Sequence, residues 1–228
     1  MTQLRLTGIE ACVFDAYGTL FDVNSAAHSA EDALGPCWQP LAELWRAKQL
    51  QYSWLRGLGG HHADFWKVTS DALSFALESM KLGDPALHHR LMNLYMSLSV
   101  YPEVTDTLNR LKAGNKVLAI LSNGTPQMLA SAVTNSGIAD LLDAVLSVEE
   151  VCVFKPHPSV YRLAADRLRL APEQICFLSS NGWDAYSAKA FGFRALWCNR
   201  FNQVPERIPD TPDGQITTLA ALPDIVIT

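Results

Sequence analysis

Short apolar segments with almost no polar residues recur along this chain, and polar or turn-forming residues follow them. Strands that are apolar at nearly every position, rather than at every second one, are typical of a parallel sheet covered on both faces. The pattern therefore predicts short, buried, parallel strands. The segments are Ile9–Phe14, Lys116–Leu121, Ala144–Leu146, Val151–Phe154 and Ile175–Leu178.

Helical patterns of apolar residues separate these segments in the second half of the chain. Strands that alternate with helices are typical of a doubly wound, Rossmann-like α/β fold. We therefore predict this fold class. The predicted helices span Glu103–Ala113, Pro126–Ser136, Ser159–Arg169 and Trp183–Phe191.

The region from about Val23 to Ser97 interrupts this alternation, because it contains no convincing strand pattern. Its apolar residues recur at helical spacing instead. We expect a helical domain at residues 21–97, inserted after the first strand of an α/β core that comprises residues 1–20 and 98–228. The helices predicted in this insert span Ala26–Leu34, Leu41–Leu58, Ala63–Leu82 and Pro85–Ser97.

Composition narrows the classes of partner. The 228 residues carry a formal net charge of -5 without any run of Lys or Arg, so we expect no nucleic-acid partner. No segment approaches ~20 uninterrupted apolar residues, so we expect no membrane span. The five cysteines are widely spaced and include no C-x-x-C pair. This pattern favours free thiols in a reducing cytoplasm over disulfides or a zinc site.

Polar side chains follow the predicted strands at four separate places in the sequence. In an open parallel sheet, ligands bind beyond the carboxyl ends of the strands. We therefore expect these side chains to meet in one site, although they are far apart along the chain. The residues are Asp15, Ser122, Asn123, Lys155 and the segment Ser179–Asp184.

Four motifs in this order resemble those of the haloacid dehalogenase superfamily, in which the Asp equivalent to Asp15 is a covalent nucleophile. The insert is similar to the cap domain of type II L-2-haloacid dehalogenases at Trp45–Gln49 and Trp54–Arg56. The resemblance extends from Ile9 to about Asn199 and implies a Rossmann-like core with an inserted helical cap. The four motifs are Phe14–Asp22, Leu121–Gly124, Lys155-Pro156 and Ser179–Asp184.

Two departures from the phosphatases of this superfamily favour carbon–halogen cleavage. Phosphatases carry a second Asp two residues after the nucleophile, which protonates the leaving group, whereas this chain has Tyr17. A halide is a very weak base and leaves without a proton. Ser180 stands where phosphatases have an acid that binds Mg²⁺, and Asp15 with Asp184 alone would make a poor site for a hard cation. We therefore expect neither a metal nor another cofactor.

The resemblance implies that the Asp15 carboxylate attacks C2 of a small L-2-haloalkanoic acid. Halide leaves, C2 inverts, and water hydrolyses the aspartyl ester to a D-2-hydroxy acid. Two carboxylates about 4 Å apart repel by roughly 4 kcal/mol at an effective dielectric constant of ~20, which would slow this step nearly a thousandfold. A cation is needed beside both carboxylates, and Lys155 is the candidate.

The resemblance also assigns roles to further residues. Asp184 would orient or activate the hydrolytic water, and Thr19 would hold Asp15 in place. Tyr161 would support Lys155. The other candidates are Ser179 and Asn181 beside the catalytic carboxylates, Ser122 and Asn123 at the substrate carboxylate, and Arg46, Asn181, Tyr17, Phe65 and Trp183 around the substrate and the departing halide.

Other interpretations remain open. Arg46 lies on an apolar helix face, where an Arg commonly extends its charge to solvent, although a guanidinium also suits a buried anion. Asp184 can instead cap the helix that follows it. A Mg²⁺-dependent phosphatase and a non-catalytic protein that binds small carboxylates are alternative functions. The Trp- and Leu-rich insert, together with the behaviour of the family, favours a homodimer.

Overall fold

The computed structural model describes residues 4–227, apart from the side chain of Ala27. The strands in this range form one parallel sheet with the order β3-β2-β1-β4-β5-β6. The chain therefore moves outward from β1 in both directions, as in doubly wound folds. The strands are β1 (Ala11–Phe14), β2 (Val117–Ser122), β3 (Ala144–Ser147), β4 (Ile175–Ser179), β5 (Arg194–Cys198) and β6 (Gly214–Ile216).

The two central strands are buried along their whole length, as their uninterrupted apolar sequences predict. β1 pairs with β2 on one side and with β4 on the other. Helices flank the sheet, so the predicted α/β fold is confirmed. The helices of this core are α6 (Val104–Ala113), α7 (Pro126–Asn135), α8 (Pro158–Leu168), α9 (Gly182–Phe191) and α10 (Leu222–Val226).

One predicted strand is wrong. Val151–Phe154 forms a turn and an irregular segment, and Cys152 takes a left-handed backbone conformation with φ of 51°. Its apolar character instead reflects burial of Phe154, whose ring packs 6.0 Å from that of Phe65. Sequence reasoning also missed β5 and β6, and β6 is a three-residue edge strand, too short to show a pattern.

Five helices, here called the cap helices, lie between β1 and α6. The single helix predicted at Ala26–Leu34 is interrupted, because Ala30 leaves the helical conformation with φ of -109° and ψ of 17°. Of the helices within residues 4–227, none combines the length and the apolarity that crossing a membrane requires. The cap helices are α1 (Ser25–His28), α2 (Glu31–Leu34), α3 (Trp38–Gly59), α4 (Phe65–Ser79) and α5 (Pro85–Tyr95).

The turn between α3 and α4 folds these two helices against each other. Gly60 ends α3 in the left-handed conformation, with φ of 68°, and donates its N–H to the carbonyls of the last turn. Asp64 caps the start of α4 by accepting a hydrogen bond from the N–H of Lys67. Across the helix pair, Trp45 Nε1 donates to the carbonyl of Thr69 at 2.9 Å. The buried face of α3 is thereby held against α4.

Candidate active site

Asp15 follows β1 directly and lies at the centre of the sheet, where the neighbouring strands β2 and β4 also end. Only 6% of Asp15 is exposed. Three side chains approach its oxygen Oδ2: Thr19 Oγ1 donates at 3.0 Å, Asn181 Nδ2 at 2.9 Å and Ser179 Oγ at 3.4 Å. Lys155 Nζ contacts the other oxygen, Oδ1, at 3.1 Å. The carboxylate is therefore fixed in orientation, and Oδ1 is the less occupied oxygen.

Lys155 joins two buried carboxylates. Its Nζ lies 3.1 Å from Asp15 Oδ1 and 2.9 Å from Asp184 Oδ2, and only 1% of the residue is exposed. The ammonium also lies 4.8 Å from the centroid of the Phe177 ring. Burial by itself lowers the pKa of Lys155, but Asp15 and Asp184 oppose it, and the resulting pKa lies above its ordinary value. Lys155 is therefore a cation at neutral pH.

Asp184 lies on the first turn of α9 and is completely buried. Tyr161 donates its hydroxyl to Asp184 Oδ1 at 2.7 Å, while Lys155 holds Oδ2. Burial raises the pKa of Asp184, and Lys155 only partly offsets this effect. Tyr161 was expected beside Lys155, but the hydrogen bond of its hydroxyl goes to Asp184. Tyr161 and Lys155 therefore contact the two oxygens of the same carboxylate.

The loop after β2 brings Ser122 and Asn123 to the same edge of the sheet. Asn123 Oδ1 accepts a hydrogen bond from the backbone N–H of Lys155 at 3.0 Å, so it positions the lysine backbone. Ser122 Oγ accepts from the N–H of Gly124 at 3.1 Å. A Cβ atom on Gly124 would come within 2.7 Å of the Tyr17 ring, so glycine allows this close approach.

Arg46 reaches the site from the cap helix α3. Its Nη2 donates to Asn181 Oδ1 at 3.2 Å, and the amide of the same Asn181 donates to Asp15. The Arg46 guanidinium therefore lies one side chain away from the candidate nucleophile. This contact favours the anion-site interpretation of Arg46 over extension into solvent.

Aromatic rings surround the polar groups. The Tyr17 and Phe65 ring centroids are 6.0 Å apart, and Trp183 packs edge-to-face on Trp54 at 5.4 Å. The indole nitrogens of Trp54 and Trp183 are buried, and neither has a hydrogen-bond partner among the described residues. Asp15, Lys155 and Asp184 are nearly or completely buried, and this low exposure to solvent strengthens the electrostatic interactions among them.

Sequence reasoning missed two residues that belong to this arrangement. Gln49 accepts a hydrogen bond from Arg46 Nη1 at 2.7 Å, and Tyr95 stacks on Tyr17 at 5.5 Å. The signal for Gln49 was present, because it is a polar residue on the buried face of α3, one turn after Trp45. No signal identified Tyr95, whose neighbours come from distant segments.

The position between Asp15 and Asp184 is filled by the ammonium of Lys155. Within residues 4–227, no group of three or more His, Cys, Asp and Glu side chains is arranged to hold a metal ion. Ser180, at the place of the phosphatase acid, has a buried hydroxyl without a partner in the described part of the chain.

Known proteins resemble this chain over nearly its whole length. The family model of haloacid dehalogenase-like hydrolases matches residues 9–192. (S)-2-haloacid dehalogenase 1 of Pseudomonas sp. (strain CBS-3) is 45% identical over 220 residues, which cover 96% of this chain and 97% of that protein. (S)-2-haloacid dehalogenase 4A of Burkholderia cepacia is 45% identical over 199 residues, or 87% of this chain and 86% of that protein.

Solved structures agree with these sequence matches. A crystal structure of a dehalogenase with an intermediate complex superimposes with a TM-score of 0.95 at 41% identity, and the match covers 98% of this chain and 99% of that chain. L-2-haloacid dehalogenase from Xanthobacter autotrophicus, with chloropropionic acid covalently bound, gives a TM-score of 0.89 at 38% identity. The match covers 95% of this chain and 97% of that chain. The chain therefore belongs to the haloacid dehalogenase-like hydrolase family.

Proposed function

We propose that this protein is an (S)-2-haloacid dehalogenase that converts small L-2-haloalkanoic acids into D-2-hydroxy acids. The observation that carries the proposal is the position of Lys155, whose buried ammonium touches both Asp15 and Asp184. The (S)-2-haloacid dehalogenases that are 45% identical to this chain support the same substrate class. Tyr17, at the place of the phosphatase acid, agrees with a leaving group that needs no proton.

In the first step, Asp15 attacks C2 of the substrate from the side opposite the halogen. A bond forms between the carboxylate oxygen and C2, the carbon–halogen bond breaks, and halide leaves with its electron pair. Oδ1 is the attacking oxygen, because Oδ2 already accepts the hydrogen bonds of Thr19 and Asn181. Lys155 lowers the repulsion between this carboxylate and the carboxylate of the substrate.

In the second step, water attacks the carbonyl carbon of the aspartyl ester. Asp184 accepts a proton from this water, and its raised pKa makes it a stronger base than an ordinary carboxylate. The bond between the carbonyl carbon and the substrate oxygen then breaks, the substrate oxygen takes up the proton held by Asp184, and the hydroxy acid leaves. The water oxygen remains on Asp15, while the product keeps an oxygen that came from Asp15.

The remaining candidates divide between the two ends of the substrate. Ser122 and backbone N–H groups of the loop after β2 receive the substrate carboxylate, and the side chain of Asn123 positions Lys155. Arg46 and Asn181 receive the departing halide. Phe65 provides an apolar wall, and the buried indole N–H of Trp183 supplies a further donor that has no partner in residues 4–227.

A single turnover in ¹⁸O-labelled water, with enzyme in excess, tests the covalent route. We expect ¹⁸O in the peptide that contains Asp15 and none in the first hydroxy acid released, as measured by mass spectrometry. Asp15→Asn should release no halide, whereas Asp22→Asn, in the same motif but outside the hydrogen bonds of Asp15, is the matched control. Label that goes directly into the product would contradict the ester intermediate.

The substrate class is tested by halide release from each enantiomer of 2-chloropropionate, with (S) expected to react and (R) not. Mg²⁺-stimulated release of p-nitrophenol from p-nitrophenyl phosphate would favour the phosphatase alternative. Binding of 2-chloropropionate without halide release would favour the non-catalytic carboxylate-binding protein.

We also propose the domain division, with a core at residues 1–20 and 98–228 and a cap at 21–97, of which residues 1–3 and 228 lie outside the described range. The cap helices and the parallel sheet support this division. A cytoplasmic location is supported by five cysteines that form no disulfide in the described structure.

A homodimer through the cap is supported by exposed apolar side chains on α3 and α4, namely Leu55, Leu58 and Phe75. Leu58 is 88% exposed. Leu58→Glu should shift the protein from dimer to monomer in sedimentation velocity. The control Val204→Glu places a charge at an 84% exposed apolar position outside the cap and should leave the dimer intact. A wild-type monomer at micromolar concentration would contradict the homodimer.

A further inference from the structure

We propose that Gln49 is a positioning residue for Arg46, the residue that binds the anionic substrate and the halide in the proposed function. Gln49 directs the Arg46 guanidinium toward the reaction centre. Because Gln49 is neutral, it leaves the positive charge of Arg46 uncompensated until an anion binds. This inference rests on the proposed function, because it assigns Arg46 to anion binding. It concerns a buried residue of the cap that the mechanism above does not use.

The contacts of Gln49 fix the direction of its amide. Thr69 Oγ1 donates its hydrogen to the carbonyl of Phe65 at 2.6 Å, so it can only accept from Gln49 Nε2, which lies 2.7 Å away. Gln49 Nε2 also donates to the hydroxyl of Tyr95 at 3.1 Å. The amide NH₂ therefore faces Thr69, and the carbonyl Oε1 faces away from Thr69, where it lies 3.4 Å from the Tyr95 hydroxyl.

That carbonyl accepts a hydrogen bond from Arg46 Nη1 at 2.7 Å. With Nη1 held by Gln49, the other end of the guanidinium, Nη2, points to Asn181 at 3.2 Å. Gln49 is only 1% exposed, and the cavity that borders it and Arg46 measures about 10 Å³, room for a single water molecule. The guanidinium is thus oriented by a contact with a buried side chain.

The charge state of the partner is the second part of the argument. The ion pairs within residues 4–227 do not include Arg46, whereas Arg56 on the same helix pairs with Asp71 at 3.1 Å. A carboxylate at position 49 would form a buried ion pair with Arg46 and cancel the positive charge that the anionic substrate needs. It would also present an oxygen to Thr69 Oγ1, which already uses its hydrogen on Phe65. A neutral amide satisfies both neighbours.

Gln49→Glu therefore has a characteristic pH dependence. The charged and titratable groups around position 49 are Arg46 on α3, Tyr95 on α5 and, beyond Tyr95, Asp15 at the end of β1. Thr69, on α4, does not titrate. Once protonated, the new carboxyl group can keep the contacts of the glutamine with Thr69 and Arg46, because its O–H donates to Thr69 and its carbonyl accepts from Arg46, while the Tyr95 hydroxyl donates to it instead of accepting. A loss caused by charge is therefore reversed by acid.

The experiment measures halide release from (S)-2-chloropropionate and, separately, bromide binding by quenching of tryptophan fluorescence, from pH 5 to 9. The matched control is Gln51→Glu, which adds the same charge to an exposed position of α3 where Gln51 contacts Lys48. We expect Gln49→Glu to raise KM and the bromide Kd at least tenfold at pH 8 and to recover toward wild type at pH 5. Gln51→Glu should stay within twofold of wild type throughout.

A Gln49→Glu protein that folds and binds bromide like wild type at every pH would overturn the proposal, and so would a loss that does not change with pH. If this variant does not fold, Gln49→Met decides: it should weaken bromide binding at least threefold with an unchanged circular dichroism spectrum, and unchanged binding would overturn the proposal. Failure of the proposed function is separate, because wild type would then bind bromide but release no halide from either enantiomer.

Discussion

Replacing Lys155 by methionine removes the ammonium between two carboxylates while nearly keeping the side-chain volume. Because Nζ lies 3.1 Å from Asp15 Oδ1 and 2.9 Å from Asp184 Oδ2, these two oxygens are at most about 6 Å apart. At an effective dielectric constant of ~20, two unit charges at that distance repel by about 3 kcal/mol. Lys155→Met therefore leaves two buried anions that face each other without compensation.

Two effects follow from this change. Removing one partner of a buried ion pair costs about 3–5 kcal/mol, so the free energy of unfolding should fall by this amount in urea denaturation. Without the ammonium, the repulsion of roughly 4 kcal/mol between Asp15 and the incoming substrate carboxylate about 4 Å away is no longer compensated, so halide release should fall by a factor approaching a thousand. The first effect concerns the folded protein alone, and the second concerns the reaction.

The double variant Lys155→Met/Asp184→Asn separates charge from packing. It removes the second anion, so we expect it to regain about 2 kcal/mol or more of the lost stability while halide release stays low. Burial already raises the pKa of Asp184. In Lys155→Met the pKa of Asp184 rises further. At a pH between about 4, the pKa of an Asp in the unfolded chain, and this raised value, the folded variant binds a proton that the unfolded chain does not bind. The stability lost at neutral pH should return as the pH falls through the raised pKa.

The reasoning is refuted if Lys155→Met unfolds at the same urea concentration as wild type. It is also refuted if Asp184→Asn adds no stability to it. Either result would mean that the two carboxylates do not repel each other in the folded protein.

Three further predictions concern the support of the site and the cap. Thr19→Val removes the hydroxyl that donates to Asp15 and accepts from the Ser180 N–H. We therefore expect the free energy of unfolding to fall by about 1–3 kcal/mol and kcat to fall by a larger factor than KM changes. An unchanged kcat would contradict the role of Thr19 in holding Asp15. Leu73→Ala in the fully buried face of α4 should lower the free energy of unfolding by about 2–5 kcal/mol in urea, and a loss below 1 kcal/mol would show that the cap repacks. Burial and Asp184 raise the pKa of Tyr161, so above about pH 10 the unfolded chain loses the phenolic proton while the folded chain keeps it. The free energy of unfolding should therefore fall as the pH rises in that range, and it should fall less steeply in Tyr161→Phe.

Much of the architecture could be predicted because it depends on local patterns. The segment that forms β1 is apolar at every position, and the segment that forms β4 is apolar up to its last residue, so both had to be buried whatever their neighbours were. The polar residues after these strands had to meet at one edge of a parallel sheet, which brought Asp15 and Asp184 together in the prediction. Lys155 was placed there through a predicted strand at Val151–Phe154 that does not form. Family resemblance added the direction of the chemistry.

The failures occurred where burial has a tertiary cause. Val151–Phe154 has the composition of a strand, but its apolar residues pack against the cap instead of pairing in the sheet. The edge strand β6 pairs with β5 over only three residues, and this pairing leaves no periodic signal. Periodicity reports how much of a segment is buried, and it does not identify what covers the segment.

The sequence by itself therefore determined the four strands β1 to β4 of the sheet, the helical insert and the identity of the groups that face each other at the candidate site. The tertiary structure decided which atoms touch. Lys155 bridges Asp15 and Asp184, Tyr161 bonds to Asp184, and the orientation of Gln49 depends on hydroxyls from two other helices. These contacts join residues as far apart in the chain as Lys155 and Asp15, separated by 140 positions. Hydrogen-bond direction and charge compensation depend on distances of about 3 Å between such segments, and no local pattern encodes those distances.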